Sequence, residues 1–320
     1  MIRKYFLQIL VILLMLAIAG VLLSLKEEPS STLERVSEGK KTEASIYQLA
    51  GDKNTNSISP EFFPVRNWLI DEPEILAKSA IIVNFKSGSE KGNILYQKNP
   101  NQVLPIASLT KIMTAIIALE NFNPEEIIKI SKNSVTVTGD KGGLIRDEEL
   151  KVKDLLYIIL MESSNDAAMT LAGDNPRLTY DEFINLMNSK VGELGLKNTS
   201  FVDPTGLSAD NQSTVLEIAD LTKYAFKFPL ILEILKTPEA TIFSIDNKFI
   251  HNLTTTNNLL GKIPQIIGGK TGYTEEAGGC MLTVLNISNN YLITVILASP
   301  QREDDTEKLI NWVQQAWLWQ

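Results

Sequence analysis

Residues Pro105–Ala115 read PIASLTKIMTA, and the spacing inside that stretch governs how the whole chain is read. Leu109, Ile112, Met113, Ile116 and Ile117 recur three and four apart behind Pro105, the pattern of a helix with a buried face. Ser108 then falls in the first turn, and Lys111, three residues on, shares its face. A serine hydroxyl is a weak nucleophile until a base removes its proton. A lysine held in an apolar place near another cation, such as Lys270, loses its own proton close to neutral pH and can serve as that base. The bland alternative is a surface hydroxyl beside a lysine that snorkels out of the helix. Spacing alone does not choose, because Ser37 and Lys40 repeat it.

The surrounding sequence supplies the context. Upstream, SAIIVNFKSG and GNILYQKN are β-rich runs separated by SGSEKG, which predicts a hairpin. Downstream, VKDLLYIILME, NDAAMTLAG, TYDEFINLMNSKVGEL and TVLEIADLTKYAFK carry apolar residues at helical spacing. Strand-like runs return in ATIFSI, GGKTGYT, GGCMLTVLNI and NYLITVILAS, before a last helix from about Glu303 to Trp317. The order of strands, helices and strands predicts a sheet built from both ends of the chain with helices inserted between them.

The 320 residues carry a net charge of −8 and no basic block, which argues against a nucleic-acid partner. Arg3 and Lys4 precede an apolar run from Tyr5 to Leu25 broken only by Gln8. That run is long enough to cross a bilayer, and the two basic residues place everything after Lys26 outside the cytoplasm. A cleavable signal segment is the rival reading, since Ala17-Ile18-Ala19 resembles a cleavage site. The expected organisation is an anchor or signal over residues 1–25, a polar tether over 26–60 and one folded domain over 61–320. The single cysteine, Cys280, excludes an intrachain disulfide and reads as a small hydrophobe. With one His, one Cys and no H-E-x-x-H, no metal or other cofactor is expected.

Two further motifs raise the signal of Ser108 and Lys111. Ser163-Ser164-Asn165 lies between two helical stretches, and Lys270-Thr271-Gly272 is the only such tripeptide. Ser-x-Asn by itself is weak, recurring at Ser131/Asn133 and Ser288/Asn290, but S-x-x-K, S-x-N and K-T-G in that order form the signature of serine penicillin-recognising enzymes. The stretches AIIVNFKSGSEKGNILYQKNPNQVLPIASLTKIMTA, LKVKDLLYIILMESSNDAAMTLAG, LGLKNTSFVDPTGL, TNNLL and GGKTGYTEEAGGC closely resemble D-alanyl-D-alanine carboxypeptidases, the low-molecular-weight penicillin-binding proteins.

That resemblance implies an α/β fold of the β-lactamase/transpeptidase type, a mostly antiparallel sheet flanked by helices with an inserted all-helical lobe. It implies an extracytoplasmic, membrane-held enzyme that removes the terminal D-alanine of peptidoglycan stem peptides and is acylated by β-lactams. Ser108 would be the nucleophile and Lys111 its base. Ser163 would pass the proton to the leaving group, while Asn165 holds Lys111 and the substrate backbone. Lys270, Thr271 and Gly272 would form the opposite wall, and the N–H groups of Ser108 and Tyr273 the oxyanion hole. Gly272, lacking a Cβ, would let substrate lie against its strand. Lys270, Thr271 and Arg302 would receive the terminal carboxylate, unless Arg302 is a solvated charge beside Glu303, Asp304 and Asp305. Many relatives end in a β-sandwich and a membrane-binding helix. Because the chain ends soon after Lys270, those parts are expected to be missing and replaced by the N-terminal segment.

Competing readings are a D,D-endopeptidase using the same residues, a class A-like β-lactamase and a non-catalytic cell-wall binder. The β-lactamase needs a Glu-x-x-Leu-Asn loop; in ELGLKN, Glu193 and Leu196 fit but Lys197 stands in place of the asparagine. Pure binding needs no activated nucleophile. His251, the only imidazole, would have to serve any Ser-His-Asp triad, yet KFIHNLTTT shows no acidic partner nearby and predicts a polar surface residue on a strand.

Overall fold

The computed structural model describes residues 64–85, 92–140, 142–288 and 290–319. The expected N-terminal segment, the tether and the first residues of the domain therefore lie outside the described residues. No helix among the described residues is long and apolar enough to cross a membrane.

Five antiparallel strands form the main sheet: β1 (Ser79–Phe85), β2 (Asn93–Lys98), β3 (Ile266–Thr274), β4 (Gly278–Ile287) and β5 (Asn290–Ser299), in the order β3-β4-β5-β1-β2. The two ends of the chain meet where β5 pairs with β1, with Ile293 opposite Val83 and Val295 opposite Ile81. Every residue of β1 is buried, which explains its apolar run Ala80–Val83. Ala80, Ile82, Leu292 and Ile296 point to one face, where Leu309, Ile310 and Val313 of helix α7 (Arg302–Ala316) cover them. Their neighbours Ile81, Val83, Ile293 and Val295 are buried on the other face. There α5 (Val215–Ala225) packs on β5 and β1.

The helical lobe contains α1 (Thr110–Asn121), α2 (Val152–Met161), α3 (Asn165–Gly173), α4 (Tyr180–Glu193), α5 and α6 (Pro229–Leu235). Helix α1 is its axis, since every residue from Thr110 to Ala118 is buried and α2, α3, α4 and α5 all pack against it. A helix with one apolar face was expected; this one is enclosed all round, which is why its polar residues Thr110, Lys111 and Thr114 must find partners inside the protein.

One strand leaves the predicted sheet. Glu239–Phe243 pairs only with Ile250–Thr254, as a separate two-stranded hairpin. Its exposed and buried residues alternate, the pattern of a ribbon lying on a surface rather than a strand inside a sheet.

Candidate active site

The backbone that leads into α1 at Ser108 is unusual. Ala107 has a φ of +46° and opens a tight 3-10 turn, Ala107–Leu109, that runs into α1. A non-glycine residue there costs about 1–3 kcal/mol and persists only where packing enforces it. The enforcing elements are on either side. A Cβ on Gly206 would sit 2.0 Å from the Ala107 carbonyl oxygen, and one on Gly272 would sit 2.8 Å from the Ser108 nitrogen. The missing Cβ of Gly272 thus lets β3 press on the Ser108 turn.

Lys111 is fully buried and its Nζ has three neighbours: Ser108 Oγ at 2.8 Å, Asn165 Oδ1 at 2.8 Å and the Thr205 carbonyl oxygen at 2.6 Å. Burial pulls its pKa down from 10.5 to about 7, against the opposing charges of Asp203, Asp140 and Asp166. The two oxygens of Asn165 and Thr205 can only accept. A neutral amine has two hydrogens, and these two acceptors take both. Its lone pair is then left for the third neighbour, the Ser108 hydroxyl.

Asn165 is fixed from behind. Its Nδ2 donates to Thr138 O at 2.9 Å and its backbone N–H to Asp140 O at 2.8 Å. The cap of α3 is Ser164, whose Oγ accepts from Ala167 N–H at 3.0 Å. Capping of α3 thus falls to Ser164 alone. Ser163 is left buried at a φ of +63°, and its Oγ has no hydrogen-bond partner among the described residues.

On the other wall, Lys270 is buried and donates to Thr271 O at 2.8 Å. Burial holds its pKa well below the usual lysine range, helped by the charges of Lys111 and Arg302. The Thr271 hydroxyl lies 2.7 Å from that of Thr256, and Tyr273 is exposed. Arg302 is half-buried: its Nε donates to Glu303 at 2.9 Å while Nη1 reaches back to the Gly272 carbonyl oxygen at 2.8 Å. Asp305, by contrast, turns inward to accept from Leu76 N–H, Ala77 N–H and Ser299 Oγ.

Two expectations fail on contacts far apart in sequence. His251 is buried, not a surface residue, and it has an acidic partner, Glu148, 103 residues upstream. It binds Glu148 and the Gly142 carbonyl oxygen rather than Ser108. Glu193, the candidate β-lactamase glutamate, instead pairs with Lys190 at an exposed position. No His/Cys/Asp/Glu cluster able to hold a metal occurs among the described residues.

Residues 68–301 match the family described as D-alanyl-D-alanine carboxypeptidase, peptidase S11. The chain belongs to this family. Among curated S11 relatives, a D-alanyl-D-alanine endopeptidase of Pseudomonas aeruginosa is 33% identical over 73% of this chain and 75% of its own length. The D-alanyl-D-alanine carboxypeptidase DacF of Bacillus subtilis is 34% identical over 72% of this chain and 60% of its own length. Among solved structures, the Streptomyces K15 DD-transpeptidase superimposes with a TM-score of 0.70 at 29% identity, covering 76% of this chain and 99% of that one. The fold is therefore that of the penicillin-recognising D,D-peptidases, as the sequence resemblance implied.

Sequence reasoning passed over several supporting groups. Thr205 contributes only a backbone carbonyl, which leaves no side-chain signature. Asp203 builds the loop that presents it, accepting from Thr205 N–H, Gly206 N–H and Ser208 N–H. The DPTG turn in which it lies was the available signal.

Proposed function

We propose that this chain is a serine-type D-Ala-D-Ala carboxypeptidase that releases the terminal D-alanine of peptidoglycan stem pentapeptides through an acyl-enzyme on Ser108. One observation carries the reading: Lys111 Nζ lies 2.8 Å from the Ser108 hydroxyl with two obligate acceptors, Asn165 Oδ1 and Thr205 O, as its other neighbours, so once neutral it spends both hydrogens on them and turns its lone pair to Ser108. Lys111 takes the hydroxyl proton as Oγ attacks the penultimate carbonyl. The C–N bond then breaks and the proton passes to the departing amine, with the partnerless Ser163 hydroxyl as relay. Water next cleaves the ester, giving the shortened peptide and free Ser108. Asn165 holds Lys111, while Lys270 and Thr271 line the far wall with Arg302 for the terminal carboxylate. The N–H groups of Ser108 and Tyr273 receive the developing oxyanion, each such donor contributing about 3 kcal/mol. No cofactor takes part.

A β-lactam mimics the D-Ala-D-Ala amide and should leave a stable acyl group on Ser108. Labelled penicillin is expected to mark the protein and the Ser37→Ala variant but not Ser108→Ala; persistent labelling of Ser108→Ala would reject the assignment. The endopeptidase reading stands second, supported by relatives of that name at 33% and 32% identity. Mass spectrometry of products from a pentapeptide and from a cross-linked dimer separates the two, the carboxypeptidase cutting only the first.

The family works outside the cytoplasm, on the cell wall. We further read Tyr5–Leu25 as the single membrane pass that holds the domain there. Fractionation should find the full chain with membranes and a chain lacking residues 1–25 in the soluble phase.

A further inference from the structure

The mechanism above leaves one buried titratable pair unused, and it lies behind Asn165. His251 stands on the Ile250–Thr254 strand and is 8% exposed. Its Nε2 is 2.7 Å from Oε1 of Glu148 and its Nδ1 is 3.2 Å from the Gly142 carbonyl oxygen. A carbonyl only accepts, so Nδ1 carries a proton. The other oxygen of Glu148 accepts from Ile145 N–H at 3.0 Å, and with Glu148 ionised, Nε2 is a donor as well. Both contacts hold together only while the ring bears two protons.

What they hold is the loop that supports Asn165. Gly142 N–H and Leu144 N–H donate to the two carboxylate oxygens of Asp166, at 2.9 and 3.2 Å. Asp166 follows Asn165 on α3. The same loop supplies Thr138 O and Asp140 O to Asn165 itself, and Asn165 Oδ1 in turn takes a hydrogen of Lys111. The imidazole is thus a side-chain bridge from the hairpin to the loop, three hydrogen-bonded steps from the reacting lysine.

We propose that His251 is a positioning residue for acylation: as an imidazolium it ties the hairpin to the loop that supports Asn165, and loss of one proton loosens the loop and slows attack by Ser108. The proposal rests on the serine–lysine reading given above. The groups facing the ring are Glu148 from the loop and Glu162 from the end of α2. Lys248, on the same hairpin, has its charge matched by Asp246 at 2.8 Å. The Glu148 hydrogen bond is the main influence and raises the His251 pKa above 6.5; burial opposes it, and the charges of Glu148 and Glu162 assist. A raised value means the bridge is complete below about 6.5 and is lost as pH rises through the folded-state value. Lys111 acts in the opposite sense, since it must be neutral and becomes so through about 7. Acylation then carries two opposed pH dependences, a rise through Lys111 and a fall, its alkaline limb, through His251 wherever that ring loses its proton.

The chain has a single histidine, so its imidazole proton resonance in the full-length protein reports His251 unambiguously. The acylation rate with a fluorescent penicillin is measured over the same pH series. The alkaline limb is expected at the resonance midpoint, with a fall of about three- to tenfold, less than the ~100-fold that a full ångström of misplacement brings. His251→Gln should lack that limb and sit at the lower rate throughout. Glu148→Gln should move midpoint and limb together to lower pH. A limb that does not follow the midpoint, or a His251→Gln variant that keeps both the rate and the limb, overturns the proposal. The first comparison uses the unmutated protein and holds even if a variant fails to fold. If no acylation occurs at any pH, the serine–lysine reading fails; if acylation occurs without the coincidence, only the role of His251 fails.

Discussion

The two walls beside Lys111 are held by different means. On β3, each residue from Gly268 to Thr274 is paired in register with β4, from Val284 back to Gly278, so Lys270, Thr271 and Gly272 are placed by a backbone ladder. The Ser163–Asp166 wall has no ladder. Its position depends on Asn165 binding Thr138, Asp166 holding Gly142 and Leu144, and Ser164 capping α3. A ladder is indifferent to side-chain charge but intolerant of added backbone bulk. A wall of carboxylate, amide and hydroxyl contacts has the reverse sensitivities, because each bond depends on the identity of one side chain.

Three experiments can break or sharpen that contrast. The largest effect belongs to bulk on the ladder: the Cβ of Gly272→Ala would lie 2.8 Å from Ser108 N and 3.1 Å from Ala107 Cβ. Neither is the tip of a flexible side chain, so the Ser108 turn must move. Acylation by penicillin should fall at least ~100-fold, with a lower Tm; a wild-type rate would mean that β3 yields and is not the rigid wall. Next is charge on the ladder side. If Arg302 receives the terminal carboxylate, Arg302→Ala should lower kcat/KM about tenfold on a free-acid peptide and not at all on its amidated form. The tenfold figure is modest because Gly272 O and Glu303 already occupy part of the guanidinium. Equal turnover of acid and amide by the unmutated enzyme would move weight to the endopeptidase reading. The smallest kinetic effect is expected on the other wall. Asp166→Asn sets an amide hydrogen against Gly142 N–H or Leu144 N–H, and should cost about 1–3 kcal/mol in denaturant midpoint while slowing acylation only about threefold. No change in the midpoint would show that the wall does not hang on that carboxylate.

The sequence carried the sheet and the lobe well, since β1, β5 and the helices follow periodicities that each element displays by itself. It also carried Ser108, Lys111, Asn165 and Lys270, because their motifs are short and local. What it hid depends on contacts across the chain. Nothing near His251 points to Glu148, and nothing in ATIFSI says that this strand will pair with its neighbour instead of the sheet. Thr205 acts through a backbone atom common to every residue. The close approach of Gly272 to the Ser108 turn likewise joins positions 164 residues apart.

Lys111 also bears on how firmly the molecule holds together. An unfolded chain keeps that lysine protonated to about pH 10.5, whereas the folded one releases the proton at about 7. Between those values the unfolded state binds the extra proton, so folding becomes more favourable as pH rises; below about 7 the full penalty applies, on the order of 5 kcal/mol. That is comparable with the entire net stability of many domains, about 5–15 kcal/mol. The packing around α1, which buries its residues from Ile112 to Ala118, therefore has a thermodynamic task besides placing the amine. It offsets the burial of an interior lysine that a methionine would relieve, so the group proposed to activate Ser108 is also one the fold would be more stable without.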